Sequence, residues 1–265
     1  MSVNTFEWTA SGLGVAAGDL DLAAASARLP AGAYTTLRTY AGRRLLRLDD
    51  HAARLSASAA APLAPDTLRA AVREALRATG HAESRLRVTF APPRLWVSVE
   101  PFAPPAPALY EEGVRCATLP VRRQRPEAKD TRFIATAEAA YRALPPGVHE
   151  GLLVSETGEV LEGLSSNFFA VCAGALRTEM ERALAGITRA LVLDVARDLL
   201  PLDPRPVRTD ELGAMSECFI TSTSRGVLPV VVVDGRAIGG GRPGPLTAEI
   251  GRRFDRRIAE ESEEP

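Results

Sequence analysis

Lys129 is the only lysine among the 32 basic residues of this 265-residue chain, and the other basic residues are arginines. Arginine can replace lysine where a protein needs positive charge, solubility or a partner for a carboxylate. It cannot replace lysine where a neutral primary amine must attack a carbonyl, because a guanidinium stays protonated. Composition therefore makes Lys129 a candidate nucleophile, although a general bias toward arginine would also leave one lysine by chance.

A carboxylate suited to a pyridine ring is found in VLEGLSSNFF, residues 160–169. In this segment an acidic residue is followed by small polar residues and then by apolar ones, and this order predicts that Glu162 lies at the edge of a sheet. A carboxylate against a pyridine nitrogen keeps that nitrogen protonated, and the ring then withdraws electrons from a substrate's α-carbon. Taken alone, Glu162 is equally consistent with an ordinary turn carboxylate.

A candidate phosphate site begins in AGITR, residues 185–189, directly before a strongly periodic segment. Gly186 permits close approach of the backbone. Ile187 and Thr188 offer free amides at a helix N-terminus, which is a favourable place for an anion. Many helices begin in the same way with a plain cap.

A second hydroxyl-rich segment, TSTSRG at residues 221–226, follows a predicted strand and can close a phosphate cup with Ser222 and Thr223. Each segment is modest evidence alone. An amine, a carboxylate for a pyridine nitrogen and a phosphate cup are together what pyridoxal 5′-phosphate (PLP) requires. The sequence therefore predicts PLP as the cofactor, held as a Schiff base by Lys129.

Hydrophobic periodicity predicts the elements that position these residues. Ala41–Gly42 is predicted to turn a hairpin, and Pro92–Pro93 lies between two alternating strands. A first helix is predicted through Ser58, capped by Asp49 or Asp50, and a second over 66–79 with Gly80 as its stop. Further helices are predicted at 133–144, 187–200 and 245–258, and further strands at 151–155, 167–172, 218–221 and 227–233.

The polar segment 119–128 contains two prolines and is predicted to link two domains. Residues 1–118 would form a smaller α/β domain, and residues 129–265 a larger one that carries the PLP lysine and the phosphate site. The acidic end of the chain is predicted to fray. The arginines of the linker are predicted to form a solvated surface, because no aromatic residues are interleaved with them: Arg122, Arg123 and Arg125.

Bulk composition narrows the functional classes. With 46% hydrophobic and 25% charged residues and a net charge of −1, the chain is globular in type and has no global field to attract nucleic acid or an anionic membrane. No apolar run approaches the roughly 20 residues that cross a bilayer. Three scattered cysteines favour a reducing compartment, hence the cytoplasm, and no Cys or His spacing indicates a metal site.

The order of these segments resembles the class IV aminotransferases, the fold-type IV PLP enzymes. That family includes branched-chain aminotransferases, D-amino acid aminotransferase and aminodeoxychorismate lyase. The resemblance implies α/β architecture with α+β mixed sheets, two domains with the active site between them, and a homodimer. The matching motifs run in family order from about residue 30 to 250: GAYTTLRTYAGRRLLRLDDHAARLSAS, EAKDTRF, LLVSETGEVLEGLSSNFFAV, LAGITRALVLDVA and ECFITSTSRGVLPVVVVDGRAI.

The resemblance also implies roles for individual residues. Lys129 would shuttle a proton between the substrate's α-carbon and the cofactor, Glu162 would face the pyridine nitrogen, and Arg54 would pair with the phosphate. Many members carry Asn and then Tyr after the lysine, where this chain has Arg132 and Phe133. The remaining implied residues line the ring (Ser165, Ser166), the phosphate (Gly186, Ile187, Thr188, Ser222, Thr223) and the substrate (Tyr34, Arg38).

Three functions fit this scaffold. The leading hypothesis is an aminotransferase that moves an amino group between an amino acid and a 2-oxo acid. The alternative is a lyase of the aminodeoxychorismate type that releases pyruvate, which the Thr35–Thr36 pair supports, and the third is a PLP-binding protein with little turnover. Substrate carboxylates suit guanidinium groups, and the candidates are Arg38, Arg87 and Arg94.

Overall fold

The computed structural model describes residues 2–19 and 21–265, and its contacts divide the chain into two compact units. Unit 1 comprises Met1–Pro104, Ala128–Ala135 and Ile258–Pro265, and unit 2 comprises Pro105–Glu127 and Thr136–Arg257. This division differs from the predicted boundaries 1–118, 119–128 and 129–265. Lys129 belongs to unit 1 because its backbone is bonded to a strand of that unit, as described below.

Unit 1 is built on one antiparallel sheet in the strand order β2-β1-β6-β5-β3. A short pair, β4 with β16, lies outside that sheet. The elements of the first part of the chain are β1 (Val3–Thr9), β2 (Gly12–Asp19), α1 (Leu22–Arg28), β3 (Ala33–Arg38), β4 (Leu45–Leu46), α2 (Leu48–Ala59), α3 (Pro65–Thr79), β5 (Ser84–Ala91) and β6 (Arg94–Pro101).

The core of unit 1 joins α2 and α3 to one face of this sheet. Leu55 of α2 and Leu68 of α3 are fully buried in one cluster with Val88 of β5 and Val97 of β6. Burying such a side chain contributes about 1.5–3 kcal/mol. The other face keeps polar side chains, so β3 presents Tyr34 and Arg38 on the side away from Thr35 and Leu37.

Unit 2 is built on a mixed sheet in the order β12-β11-β10-β13-β14-β7-β8-β9, with β15 paired to β14. Strand β7 pairs parallel with β14 and β8, β11 pairs parallel with β12, and the other pairs are antiparallel. The predicted mixed sheets are confirmed. The remaining elements of the chain are α4 (Pro107–Glu112), β7 (Val114–Leu119), α5 (Arg132–Arg142), β8 (Glu150–Val154), β9 (Val160–Gly163), β10 (Asn167–Cys172), β11 (Ala175–Arg177), α6 (Ile187–Ala196), β12 (Leu202–Asp203), a 3-10 helix (Thr209–Ala214), β13 (Met215–Ser222), β14 (Gly226–Val233), β15 (Arg236–Ala237), α7 (Pro245–Glu261) and β16 (Ser262–Glu263). Of these, β16, the start of α5 and the end of α7 belong to unit 1.

The predicted first hairpin is wrong in its pairing. A turn does form at Ala41–Gly42, with an isolated bridge between Tyr40 and Arg44, but β3 pairs with β5 and β4 pairs with β16. The predicted aspartate cap of α2 is also wrong. The N-cap is Arg47 in a left-handed conformation. Asp49 and Asp50 lie in the first turn, where their negative charges interact favourably with the positive end of the helix dipole.

The predicted fraying of the chain's acidic end is wrong as well. Residues 262–263 form β16, and three arginines of unit 1 hold the segment. Arg44 Nε donates to Ser262 Oγ at 3.1 Å, Arg69 pairs with Glu263 at 2.9 Å, and Arg73 Nε donates to the Pro265 carbonyl at 2.6 Å. These partners lie about 190 to 220 positions away in sequence, so no local pattern reveals them.

None of the helices within residues 2–19 and 21–265 is long and apolar enough to cross a membrane.

Candidate active site

The backbone of Lys129 is fixed on both sides within unit 1. Its N–H donates to Ser58 Oγ of α2 at 3.1 Å, and its carbonyl accepts from the Tyr34 N–H of β3 at 2.8 Å. Two residues on, the Thr131 N–H donates to the Gly32 carbonyl at 2.9 Å. The segment after the predicted linker therefore docks against the free edge of β3, which explains why the lysine groups with unit 1.

The Lys129 amine lies against an aromatic ring. Its Nζ is 4.8 Å from the centroid of the Tyr34 ring, and the ring is largely buried. The guanidinium of Arg87 lies 5.2 Å from the same centroid. Unit 1 thus brings the predicted catalytic lysine together with Tyr34 and Arg87, two of the residues predicted for the substrate.

A buried cation lies nearby on α2. Arg54 Nη2 donates to Thr35 Oγ1, and Thr35 Oγ1 lies 2.6 Å from His51 Nδ1. Arg54 Nε is buried and lacks a hydrogen-bond partner among residues 2–19 and 21–265. Burial lowers the pKa of Arg54 to about 10, against the favourable fields of Tyr34 and Asp50. A desolvated guanidinium with an unused donor is suited to an anion.

His51 makes unit 1 sensitive to acid. Burial, with the charges of Arg54 and Lys129, holds the pKa of His51 well below its usual range. As pH falls through about 6.5, His51 binds a proton in the unfolded chain but stays neutral in the folded protein. Stability should therefore fall with decreasing pH, by up to roughly 1 kcal/mol per pH unit, until the folded pKa is reached.

We expect His51→Asn to flatten this pH dependence, measured as the urea unfolding free energy between about pH 5 and 7. The matched control is His149→Asn, because His149 is exposed. The control should keep the wild-type slope, and a wild-type slope in His51→Asn would contradict the assignment.

Unit 2 holds Glu162 in a buried ion pair. Arg123 Nε donates to Glu162 Oε1 at 2.7 Å, and the side chains are 6% and 3% exposed. The Leu184 N–H donates to the other carboxylate oxygen at 3.2 Å. The prediction that the linker arginines are all solvated is wrong for Arg123, because Glu162 compensates its charge in the interior.

The N-terminus of α6 has the form predicted for a phosphate site. Gly186 is the N-cap, and no side chain caps the helix. A Cβ at position 186 would overlap Asn167 Oδ1, and the Asn167 amide donates to the Leu184 carbonyl at 2.8 Å. This close approach requires glycine. It leaves the first-turn amides of Ile187 and Thr188 available to an anion.

Two turns of unit 2 carry the remaining predicted cofactor residues. Ser165 and Ser166 lie between β9 and β10, and Ser222 and Thr223 lie at the end of β13. Arg225 joins the two turns, because its Nε donates to Ser222 Oγ at 3.0 Å and its Nη2 to Ser165 Oγ at 2.7 Å.

Sequence reasoning missed three residues beneath these turns. Glu150 is completely buried and accepts from Ser166 Oγ at 3.0 Å, from Tyr141 Oη at 2.5 Å and from Arg225 Nη2 at 2.8 Å. No motif marks them, because Glu150 begins an ordinary apolar strand, Tyr141 ends a helix, and Arg225 is one of many arginines.

The three arginines suggested as ligands of the substrate carboxylate have different surroundings. Arg38 is stacked on Tyr40 at 4.2 Å and on Phe102 at 5.0 Å, measured to the ring centroids. Arg87 Nη1 donates to the Leu22 carbonyl and to Ser26 Oγ, both at 2.8 Å. Arg94 is exposed and paired with Glu7 at 2.7 Å, which does not favour the role of carboxylate ligand suggested for it.

The Thr35–Thr36 pair, which supported the lyase alternative, is split by the alternation of β3. Thr35 is fully buried against His51 and Arg54, so its hydroxyl is engaged on the helix side of the sheet. This pair therefore gives the lyase little support.

Known proteins resemble this chain in sequence and in fold. The family model for amino-transferase class IV matches residues 32–233. A D-alanine aminotransferase from Bacillus licheniformis is 32% identical over 156 residues, covering 57% of this chain and 55% of the relative. The chain spans about half the length of the curated relatives it matches.

Solved structures share the fold over nearly the whole chain. The branched-chain aminotransferase of Thermoproteus uzoniensis, solved with norvaline, has a TM-score of 0.79 and 27% identity, covering 98% of this chain and 96% of that one. The T.th. branched-chain amino acid aminotransferase, complexed with N-(5′-phosphopyridoxyl)-L-glutamate, has a TM-score of 0.80 at 24% identity, covering 97% and 94%. The fold is therefore that of the fold-type IV enzymes, and the chain belongs to the class IV aminotransferase family.

Proposed function

We propose that this protein is a PLP-dependent aminotransferase that moves an amino group between an amino acid and a 2-oxo acid. The observation that carries the proposal is the placement of the chain's only lysine. Lys129 is held by hydrogen bonds at its N–H and its carbonyl, with its amine beside the largely buried Tyr34 ring. Family membership supports the same activity.

The residues fit the proposed cofactor. Within unit 1, the unused Nε of Arg54 is suited to a phosphate. Within unit 2, the first turn of α6 offers its amides to an anion, and Ser222 and Thr223 offer hydroxyls. Glu162 would face the pyridine nitrogen, and Ser165 and Ser166 would line the ring. When bound, PLP supplies an electron sink for the carbanion formed at the substrate's α-carbon. A relative solved with a phosphopyridoxyl derivative supports this choice.

The chain's own residues would do three things in the reaction. Lys129 would attach the cofactor and then, as a free amine, move a proton from and to the substrate's α-carbon. Glu162 would hold a proton at the ring nitrogen, and Arg123 would pair with that carboxylate inside the protein. Tyr34 would orient the lysine, because its ring packs against the amine.

The substrate class is proposed from the names of the relatives. The names of the relatives include branched-chain and D-alanine aminotransferases, so we propose a small apolar amino acid as donor. Arg38 and Arg87 are our candidates for the substrate carboxylate.

An amino-group exchange assay tests the activity. The PLP-loaded protein is incubated with L- and D-valine, leucine and alanine, each with 2-oxoglutarate or pyruvate, and both products are measured. We expect a new amino acid and a new oxo acid in equal amounts, and only when both reactants are present. Pyruvate release from an aromatic amino precursor without an acceptor would contradict the proposal in favour of a lyase.

We further propose that the protein is a homodimer, as the family resemblance implies, and that it is cytoplasmic, as its three scattered cysteines favour. Light scattering coupled to gel filtration should give twice the chain mass. Fractionation of the source cells should recover the protein with cytoplasmic markers.

A further inference from the structure

Glu150 lies at the centre of a hydrogen-bonded cluster in unit 2, and the proposed function gives no role to Glu150 or to its partners Tyr141 and Arg225. It is completely buried at the first position of β8. Its carboxylate accepts from Tyr141 Oη at 2.5 Å and from Ser166 Oγ at 3.0 Å, and it pairs with Arg225 Nη2 at 2.8 Å. The guanidinium therefore compensates a charge that would otherwise be costly to bury.

The hydrogens in this cluster can be assigned from the number of donors. A carboxylate only accepts, so the single hydrogen of Tyr141 goes to Glu150. The hydrogen of Ser165 then lies in its 2.6 Å contact with Tyr141 Oη or in its longer 3.3 Å contact with Glu150 Oε2, so it stays within the cluster. Arg225 Nη2 donates to Ser165 Oγ at 2.7 Å. Ser165 is left with one unused lone pair and no hydrogen to give.

Ser165 is exposed, whereas the groups that orient it are half-buried or buried. It therefore presents a hydrogen-bond acceptor of fixed direction at the edge of the cluster. Because Arg225 Nε also donates to Ser222 Oγ at 3.0 Å, the same guanidinium sets the spacing between the Ser165 turn and the Ser222 turn. Ordinary serine hydroxyls rotate to suit their partners, and this one cannot.

We propose that Tyr141 and Arg225 are positioning residues of the cofactor site, acting with Glu150 to hold Ser165 as an acceptor-only hydroxyl and to tie it to Ser222. This inference rests on the proposed function, because that proposal gives Ser165 and Ser222 to the cofactor. The group that faces Ser165 must bring its own N–H or O–H. Tyr141 and Arg225 act through the two serines and need not touch the ligand.

The test is a PLP titration of the apo protein, followed by visible absorbance, with thermal melting of each apo variant. Tyr141→Phe removes the 2.6 Å partner of the Ser165 hydroxyl and leaves it the longer 3.3 Å contact with Glu150, so it should raise the Kd for PLP roughly three- to tenfold, the equivalent of one lost hydrogen bond. Ser165→Ala should raise it by a similar factor. The double variant should be no weaker than Ser165→Ala alone, because Tyr141 acts through that hydroxyl.

Arg225 is tested with two substitutions and a matched control. Arg225→Met should raise the Kd more than about tenfold, because Glu150 loses its counter-charge. Arg225→Lys should recover part of that loss, and it guards against a failure of the methionine variant to fold. The control is Arg177→Met, because Arg177 is a half-buried arginine like Arg225 and pairs with Glu211 at 3.1 Å, outside the Glu150 cluster. It should lower the melting temperature but leave the Kd unchanged.

The outcomes separate the two proposals. If the wild type binds PLP, and Tyr141→Phe and the two Arg225 variants lower only the melting temperature, the positioning role is overturned and the cofactor assignment stands. Additive losses in the Tyr141–Ser165 double variant overturn it equally. If neither the wild type nor Arg177→Met binds PLP, the proposed function itself fails and the positioning role fails with it.

Discussion

Lys129→Arg should lose amino-group transfer by at least about ten-thousandfold, because a guanidinium stays protonated and can neither attach to a carbonyl nor accept the α-proton. The substitution keeps the positive charge beside the Tyr34 ring, so charge and packing change little. We therefore expect the melting temperature of the apo protein to stay near that of the wild type. The measurement is a single-turnover assay of the PLP-loaded protein with an amino donor in excess.

A displaced lysine provides the control. Arg197 is 81% exposed and forms an i,i+3 pair with Asp194. Arg197→Lys alone should keep full activity. The double variant Lys129→Arg/Arg197→Lys restores the lysine count at the wrong place and should stay inactive. Activity in that double variant, or in Lys129→Arg itself, would show that position 129 does not carry the chemistry.

Arg123→Met should destabilise the protein by about 3–5 kcal/mol, because it leaves the buried Glu162 carboxylate without its counter-charge. The side chains of this pair are 6% and 3% exposed, so water cannot replace the lost partner. Urea unfolding measures the change. Arg123→Met/Glu162→Gln should recover much of the stability, since it removes the unpaired charge, but it should bind PLP less tightly because the ring nitrogen loses its carboxylate.

The adjacent residue is a close control. Arg122 pairs with Glu156 at 2.7 Å, yet its side chain is 60% exposed and that of Glu156 is 80% exposed. Arg122→Met should cost less than about 1 kcal/mol. Equal losses for the two arginines would contradict the distinction between a buried and a solvated pair.

Local patterns predicted the elements whose faces and ends are set by nearby residues. Helix α3 has its apolar stripe, an entry at Pro65 and a left-handed Gly80 at its end, all readable within about sixteen residues. The second hairpin likewise follows from alternation in β5 and β6. The segment around Glu162 and the glycine before α6 could be singled out because a PLP site would require a carboxylate and a close backbone approach at such positions.

Long-range partners explain what could not be predicted. Strand β16 forms because the acidic end of the chain pairs with β4 and binds three arginines. None of those partners is near it in sequence. Arg123 looks like its neighbours Arg122 and Arg125, and only the fold places a carboxylate against it. Glu150 and Arg225 are joined across 75 positions by one ion pair, with no motif around either residue.

The most direct test of the cofactor assignment is borohydride reduction of the PLP-loaded protein followed by peptide mapping. Because this sequence has one lysine, Lys129 offers its one ε-amine for trapping. We predict one equivalent of covalent cofactor on the peptide that contains Lys129, lost in Lys129→Arg and in Lys129→Arg/Arg197→Lys. Absence of an adduct, or an adduct confined to other peptides, would contradict the assignment of Lys129 as the residue that holds PLP.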